Sequence, residues 1–420
     1  MNDKNQIAGV VKIAFTRGAG LPLSFLANFL IASSLGVLAY GQYSILIVIT
    51  QSLLIVPQDA FHRMLTLHIS SGLSYELAMK ELGKWLAGFL ALASAALHLI
   101  FFAYDQHAGS SFIAVWIMVT VYLFTFSILF FLLGMVSGKK GNFLDAGISS
   151  IVRPLAMIFF LFSFLIIKGS NDIAIKDILI AQVASGLFCI ICAIIFLVKY
   201  WNKRVVPQDT KKIRVTARSL TFLTIIAGIS FLLTAVDVVM LGFLGKGDQV
   251  GPYRFASSIM SLSMIVYASG QSYLASRIHS LTYSGELGES QRRIRYLVLV
   301  GTGILLLLIV CFYSKIITII LGSEFLISEL ILITLGLGNL MQVLFASKQI
   351  NAIHYGLEEK LGYSMLSILI FNVMMNALLI PTFGIMGAAI STSLSVTIHA
   401  VSVHLVVKKY LRNNPKMSGK

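Results

Sequence analysis

Ser219 to Tyr253 reads SLTFLTIIAGISFLLTAVDVVMLGFLGKGDQVGPY, and between Ser219 and Leu244 its only charged residue is Asp237. A run of about 20 apolar residues is what a helix needs to cross a bilayer. This one ends in the turn Leu244-Gly245-Lys246-Gly247-Asp248, followed by Gly251-Pro252-Tyr253. Near the start of the chain another apolar run leads into Gly41-Gln42-Tyr43, and Lys199-Tyr200 is echoed by Lys409-Tyr410 at the same offset. Two echoes at one spacing predict a chain of two homologous halves. The expected division is an N-terminal six-helix bundle over 1–200, a cytoplasmic linker over 201–217 and a C-terminal six-helix bundle over 218–420.

Composition sets the class. With 57% apolar and 12% charged residues and a mean hydropathy of +0.89, the chain cannot cover itself with polar surface in water. Lipid accepts apolar side chains on the outside of every helix, so an integral membrane protein is expected, its solvent partner the lipid bilayer. No segment with a small-residue cleavage site precedes the first apolar run, which is therefore expected to stay as a helix. The net charge of +15 first suggests nucleic acid, but the cations fall in alternate connections and not in one patch, which excludes that partner. Of the three cysteines, Cys189 and Cys192 sit within an apolar run with no second pair, and read as buried thiols on one helical turn.

Windows of spanning length predict twelve helices, at 13–35, 43–62, 84–104, 112–136, 148–168, 176–200, 217–243, 252–277, 295–320, 327–348, 362–380 and 384–408. The fold class expected is an all-α polytopic membrane protein, two six-helix bundles related by a pseudo-two-fold axis. With both termini in the cytoplasm, 27 of the 32 Lys and Arg residues fall on the inner side, as the positive-inside rule requires. Outer connections are short, leaving little room for the acid, base and acceptor site of a polytopic polymerase or glycosyltransferase. The chain is thus expected to be a transporter and not an enzyme.

Charge inside a membrane helix costs about 2.5–3.5 kcal/mol on insertion scales, so Asp237 is the first candidate for function. Asn372 and Asn376 lie four apart on one helix face, and the next run contains Gly387-Ala388-Ala389 and Ser391-Thr392-Ser393. A carboxylate, two amide oxygens and a hydroxyl are the hard ligands that suit a small cation; equally, amides and hydroxyls glue membrane helices together. Arg17, Arg63, Arg153, Arg277 and Lys348 lie about a turn inside the inner boundary, and Arg254 just inside the outer one. Singly these are snorkelling anchors; as a set they would ring a cavity and hold a diphosphate, whose oxygens match the guanidinium fork. Gly18, Gly20, Pro22, Pro57, Pro154, Gly336 and Gly338 interrupt helices where bending is expected.

Leu35-Gly36 to Gly41-Gln42-Tyr43, the run from Asp237 to Gly251-Pro252-Tyr253, and Ile380-Pro381-Thr382-Phe383-Gly384-Ile385-Met386-Gly387-Ala388-Ala389 resemble the Wzx-type O-antigen flippases. These are polysaccharide-biosynthesis members of the multidrug/oligosaccharidyl-lipid/polysaccharide exporter superfamily. The resemblance implies two bundles around a cationic cavity and alternating-access transfer of undecaprenyl-diphosphate-linked oligosaccharide from the cytoplasmic to the periplasmic leaflet of a bacterial inner membrane. It implies a place in lipopolysaccharide biosynthesis, with a polysaccharide polymerase and a chain-length regulator as pathway partners. By similarity to the related lipid II flippases, Asp237, Asn372, Asn376 and Thr392 match a sodium site, with Asn376 where an acid can stand. Sodium or protons are the coupling ions this implies, with no resident cofactor. The alternatives are a multidrug/cation antiporter of the same superfamily and a major-facilitator carrier, although Asp59-Ala60-Phe61-His62-Arg63-Met64 departs from the latter's signature.

Overall fold

The computed structural model describes residues 3–70, 75–105, 112–138, 142–169, 173–201, 225, 227–233, 235–245, 247–271, 274, 287–345, 352, 355 and 357–413. Among them every regular element is helical. In chain order these are α1 (Asp3–Ile55), a π-helical turn (Val56–Phe61), α2 (His62–Ser70), α3 (Tyr75–Asp105), α4 (Phe112–Val136) and α5 (Asn142–Gly147). A second π turn (Ile148–Val152), α6 (Arg153–Lys168) and α7 (Ile175–Trp201) follow. After residues outside the description come α8 (Val236–Leu244), a 3₁₀ turn (Gly247–Gln249), α9 (Val250–Leu262), α10 (Leu287–Ile320), a 3₁₀ turn (Ser323–Phe325), α11 (Glu329–Phe345), α12 (Glu358–Phe383) and α13 (Ile385–Asn413).

At 53 residues, α1 would be about 80 Å long if straight, more than twice the ~30 Å of a hydrocarbon core. It is not straight. Gly36 sits at φ 72°, ψ 177°, a conformation that side-chain-bearing residues rarely adopt, and divides α1 where the sequence predicts the turn between its first two spans. The second span continues through the π turn at Pro57 into α2. Proline lacks the N–H of the i to i−4 ladder, which accounts for the irregular turns at Pro57 and just before Pro154.

Eight described helices are long and apolar enough to cross a membrane, nine when the bent pair Ala227–Leu233 and Val236–Leu244 counts as one span. The chain is a multi-pass membrane protein. The difference from twelve has specific causes. The first candidate, Gly18–Thr66, contains two predicted spans, and Glu329–Phe345 falls just short of spanning length. The predicted spans 252–277 and 327–348 run into residues outside the description. Ile166, Ile167 and Ile319 are more than three-quarters exposed, as side chains facing lipid should be.

Contacts divide the chain into two compact units, one of Phe15–Ala39 with Leu46–Gly228 and the other of Met1–Ala14, Tyr40–Ile45 and Ile229–Lys420. Most of the expected linker, residues 202–217, lies outside the described residues. In the first unit the uncharged α4 is central, packing against α2, α3 and α7. Of its most apolar stretch 61% is buried, while no other span exceeds 39%. A polar knot ties down its end: buried Asp145 accepts from Ser137 Oγ at 2.8 Å, and His62 Nε2 lies 3.2 Å from the same carboxylate oxygen. Asp145→Ala would leave the buried Ser137 hydroxyl and the His62 imidazole without this partner. It should cost about 1–3 kcal/mol, read as a lower melting temperature of the detergent-solubilised protein, with Asp145→Asn milder.

In the second unit α13 packs along α11 and α12 and also meets α8. The two halves of the first sequence echo touch here. A Cβ on Gly41 would lie 3.0 Å from the backbone nitrogen of Gly251. Beside this approach Tyr40 packs edge-on to Phe255, with ring centroids 6.3 Å apart, and lies 6.0 Å from the Phe325 ring.

Candidate functional site in the C-terminal unit

The helix that carries Asp237 is broken beside it. Ala235, at φ −134° and ψ −19°, leaves helical geometry, and the segments on either side are bent by 47°. The break places Asp237 in the first turn of α8, where backbone N–H groups lack helical acceptors. Its Oδ1 accepts the N–H of Val238 at 2.8 Å. Oδ2 accepts two hydroxyls, Tyr253 Oη of α9 at 2.5 Å and Thr392 Oγ1 of α13 at 2.9 Å. Three elements thus converge on one carboxylate that is 1% exposed. Without those donors, burying it would be prohibitive.

One residue from Thr392 the fourth element joins. Asn372 and Asn376 of α12 are fully buried, and Asn376 Nδ2 donates to Asn372 Oδ1 at 3.0 Å. Asn372 Nδ2 in turn lies 2.9 Å from Ser395 Oγ and 3.4 Å from the Ser391 carbonyl, both on α13. Two oxygens of this cluster, Asn376 Oδ1 and Ser391 Oγ, are buried without a hydrogen-bond partner among the described residues. Buried acceptors are rarely left so. Carboxylate, amide and hydroxyl oxygens with spare lone pairs suit a small hard cation, and Asp237, Asn376 and the Ser391–Thr392 pair are the groups that would hold one.

Of the residues singled out in the sequence, Thr392 bonds to Asp237, and Asn372, which bonds to Asn376, meets the same stretch of α13 at Ser391 and Ser395. Tyr253 and Ser395 were missed as members. Ser395 was legible from its four-residue spacing to Ser391; Tyr253 reaches Asp237 by tertiary packing that no helical spacing encodes.

The cations are placed otherwise. Arg63 is exposed and pairs with Asp59, Nη2 to Oδ1 3.0 Å, one turn away. Arg153 is half-buried, its guanidinium carbon 5.8 Å from the centroid of the Phe126 ring, a cation–π arrangement. Both belong to the first unit, while Arg254, also half-buried, follows Tyr253 on α9 in the second. Arg17 lies on α1, but its side chain, like Arg277 and Lys348 altogether, is outside the described residues.

Comparison with known proteins agrees with this architecture. Against solved structures the chain matches a variant of the Vibrio cholerae MATE transporter VcmN with TM-score 0.60 and 17% identity, covering 98% of each chain. A MATE transporter in the straight conformation gives TM-score 0.62 at 13% identity, covering 98% of this chain and 97% of that one. An outward-facing multidrug resistance MATE transporter of the MOP superfamily gives 0.60 at 14%, covering 99% and 97%. These likenesses establish the fold, twelve helices in two bundles, as the composition and half-repeat led one to expect. By sequence, 175 residues are 26% identical to the "Probable low-salt glycan biosynthesis flippase Agl15" of Haloferax volcanii. That alignment spans 40% of this chain and 36% of the relative's length. Residues 8–275 match the family model described as polysaccharide biosynthesis protein, and the chain belongs to that family, on the fold of the MATE transporters.

Proposed function

We propose that the chain is a flippase that moves undecaprenyl-diphosphate-linked polysaccharide repeat units, of the O-antigen class, from the cytoplasmic to the periplasmic leaflet by alternating access. The reading places it in a bacterial inner membrane with both termini cytoplasmic, upstream of a polymerase and a chain-length regulator in the same pathway. The observation that carries it is the buried Asp237 cluster at a break in a membrane helix, in a chain of the polysaccharide biosynthesis family. A carboxyl group held there by its own helix and two neighbouring ones can bias a two-state transporter, by as much as a cation binds one state better than the other. The diphosphate is assigned to Arg17, Arg63, Arg153, Arg254, Arg277 and Lys348; the basic excess favours this anionic cargo over the cationic drugs of an antiporter.

The test is transfer in proteoliposomes. Undecaprenyl-diphosphate oligosaccharide placed in both leaflets should become fully accessible to an external glycosidase with the protein and only half accessible without it. Arg153→Ala should slow the protein-dependent phase about tenfold or more, as loss of a charge-assisted hydrogen bond worth about 1.5–3 kcal/mol would. Half accessibility with wild-type protein, together with efflux of a cationic dye such as ethidium, would establish the antiporter instead.

A further inference from the structure

Below the Asp237 cluster, α13 continues polar on its buried face. Ser391, Ser395 and His399 recur every fourth residue, at 0%, 0% and 9% exposure, and so share one face over about 12 Å of helix. Membrane helices are normally apolar or fully satisfied there. This one is not: Ser391 Oγ and His399 Nδ1 are buried without hydrogen-bond partners among the described residues, as is Asn376 Oδ1 of the neighbouring α12. The next two positions at that spacing, Val403 and Val407, are also buried, at 1% and 0% exposure. They pack with Ala352, Leu357 and Leu361 into an apolar cluster that Tyr355, Val406, Tyr410 and Leu411 extend. A row of buried polar groups, with Ser395 bonded to Asn372 and the two on either side unpartnered among the described residues, thus ends against an apolar plug at the C-terminal end of α13.

We propose that Ser391, Ser395 and His399 line a hydrated path within the C-terminal unit, through which a small monovalent cation reaches Asp237, and that the Val403–Val407 cluster is its gate. The proposal rests on the cation reading of Asp237. Water supplies the partners that the orphaned groups lack, since a buried polar site with several unpaired atoms holds water where an apolar one stays dry. The apolar plug restrains ion entry by dewetting, as hydrophobic constrictions in channels do. The reading accounts for why the polar spacing stops at Val403 and gives way to apolar residues at the same spacing as far as Leu411.

Thiol accessibility tests it in the full-length protein with Cys189, Cys192 and Cys311 replaced by serine. Ser395→Cys and His399→Cys, each a small change, should react with the cationic reagent methanethiosulfonate ethylammonium. Ala400→Cys, fully buried on a neighbouring face, should not. Adding Val403→Ala should speed labelling of Ser395→Cys about tenfold, and sodium should slow it. Radiolytic footprinting of the wild-type protein needs no variant and should oxidise His399. If Ser395→Cys and His399→Cys are as inert as Ala400→Cys with and without Val403→Ala, and His399 escapes oxidation, the stripe is dry helix glue and the path is overturned. Loss of export in Asp237→Asn beside an inert Ser395→Cys would remove the path and spare the coupling site. Reactive Ser395→Cys beside a fully active Asp237→Asn would keep the hydrated path and remove the role given to Asp237.

Discussion

Asp237→Asn is expected to cut glycan export at least about tenfold while leaving the protein folded and at normal levels in the membrane. The substitution keeps the size of the side chain and removes its charge. Tyr253 and Thr392 both donate to Oδ2, so an amide oxygen in that place keeps their geometry. The Val238 N–H is less fortunate, because it would face an NH₂ group that cannot accept. Hydrogen bonds to a charged group contribute about 1.5–3 kcal/mol, against roughly 1 for neutral ones. The stability loss is therefore modest, whereas a cation loses the only carboxylate that the described residues bring to the cluster. Since a ligand shifts a two-state equilibrium only by its differential affinity, the bias between facing states goes with it. Surface polysaccharide in a strain lacking the gene and complemented with this variant measures the effect, and thermal melting of the purified variant checks the fold. Wild-type display would remove Asp237 from the coupling role.

Much of this was legible before any coordinates, and what was not has physical causes. Membrane class and helix placement follow from apolar run length, because lipid imposes one strong constraint on every span. The division of α1 was visible at Leu35-Gly36, since only glycine accommodates φ 72° easily. Asp237 and the asparagine pair stood out because polar groups in apolar runs are expensive. The sequence could not show that Tyr253, marked only as half of an echo, would bond to Asp237, or that Asp145 would gather Ser137 and His62. These are contacts between helices, and no period along one helix encodes them. The π turns lie between those cases: the prolines announced a disturbance, while its form depends on how the flanking helices are packed.

Gly387→Ala, a single added methyl, is expected to destabilise the protein by about 1–3 kcal/mol or more, and Gly387→Val to prevent accumulation in the membrane altogether. The cause is the hairpin between α12 and α13. The chain reverses through Gly384, at φ 54°, and the first turn of α13 returns directly over the last turn of α12. A Cβ on Gly387 would stand 2.3 Å from the carbonyl oxygen of Leu379, 2.5 Å from its carbon and 2.9 Å from the nitrogen of Ile380. These are backbone atoms of a helix and have no rotamer through which to yield. The two helices must therefore separate. Separation pulls on the cluster one to two turns further along α13, where Asn372 of α12 holds Ser395 Oγ at 2.9 Å and the Ser391 carbonyl at 3.4 Å. The same substitution at Gly303 makes the contrast. That glycine is in α10 with nothing within 4 Å of an added Cβ, so Gly303→Ala gains up to about 1 kcal/mol of helix propensity and meets no neighbour. Melting of both variants side by side, with Gly303→Ala at or above wild type and Gly387→Ala well below it, separates a general intolerance of alanine for glycine from the specific closeness of α12 and α13. A Gly387→Ala protein as stable as wild type would mean that the hairpin does not hold the two helices at this distance, and the Asn372 contacts that depend on it would fall with it.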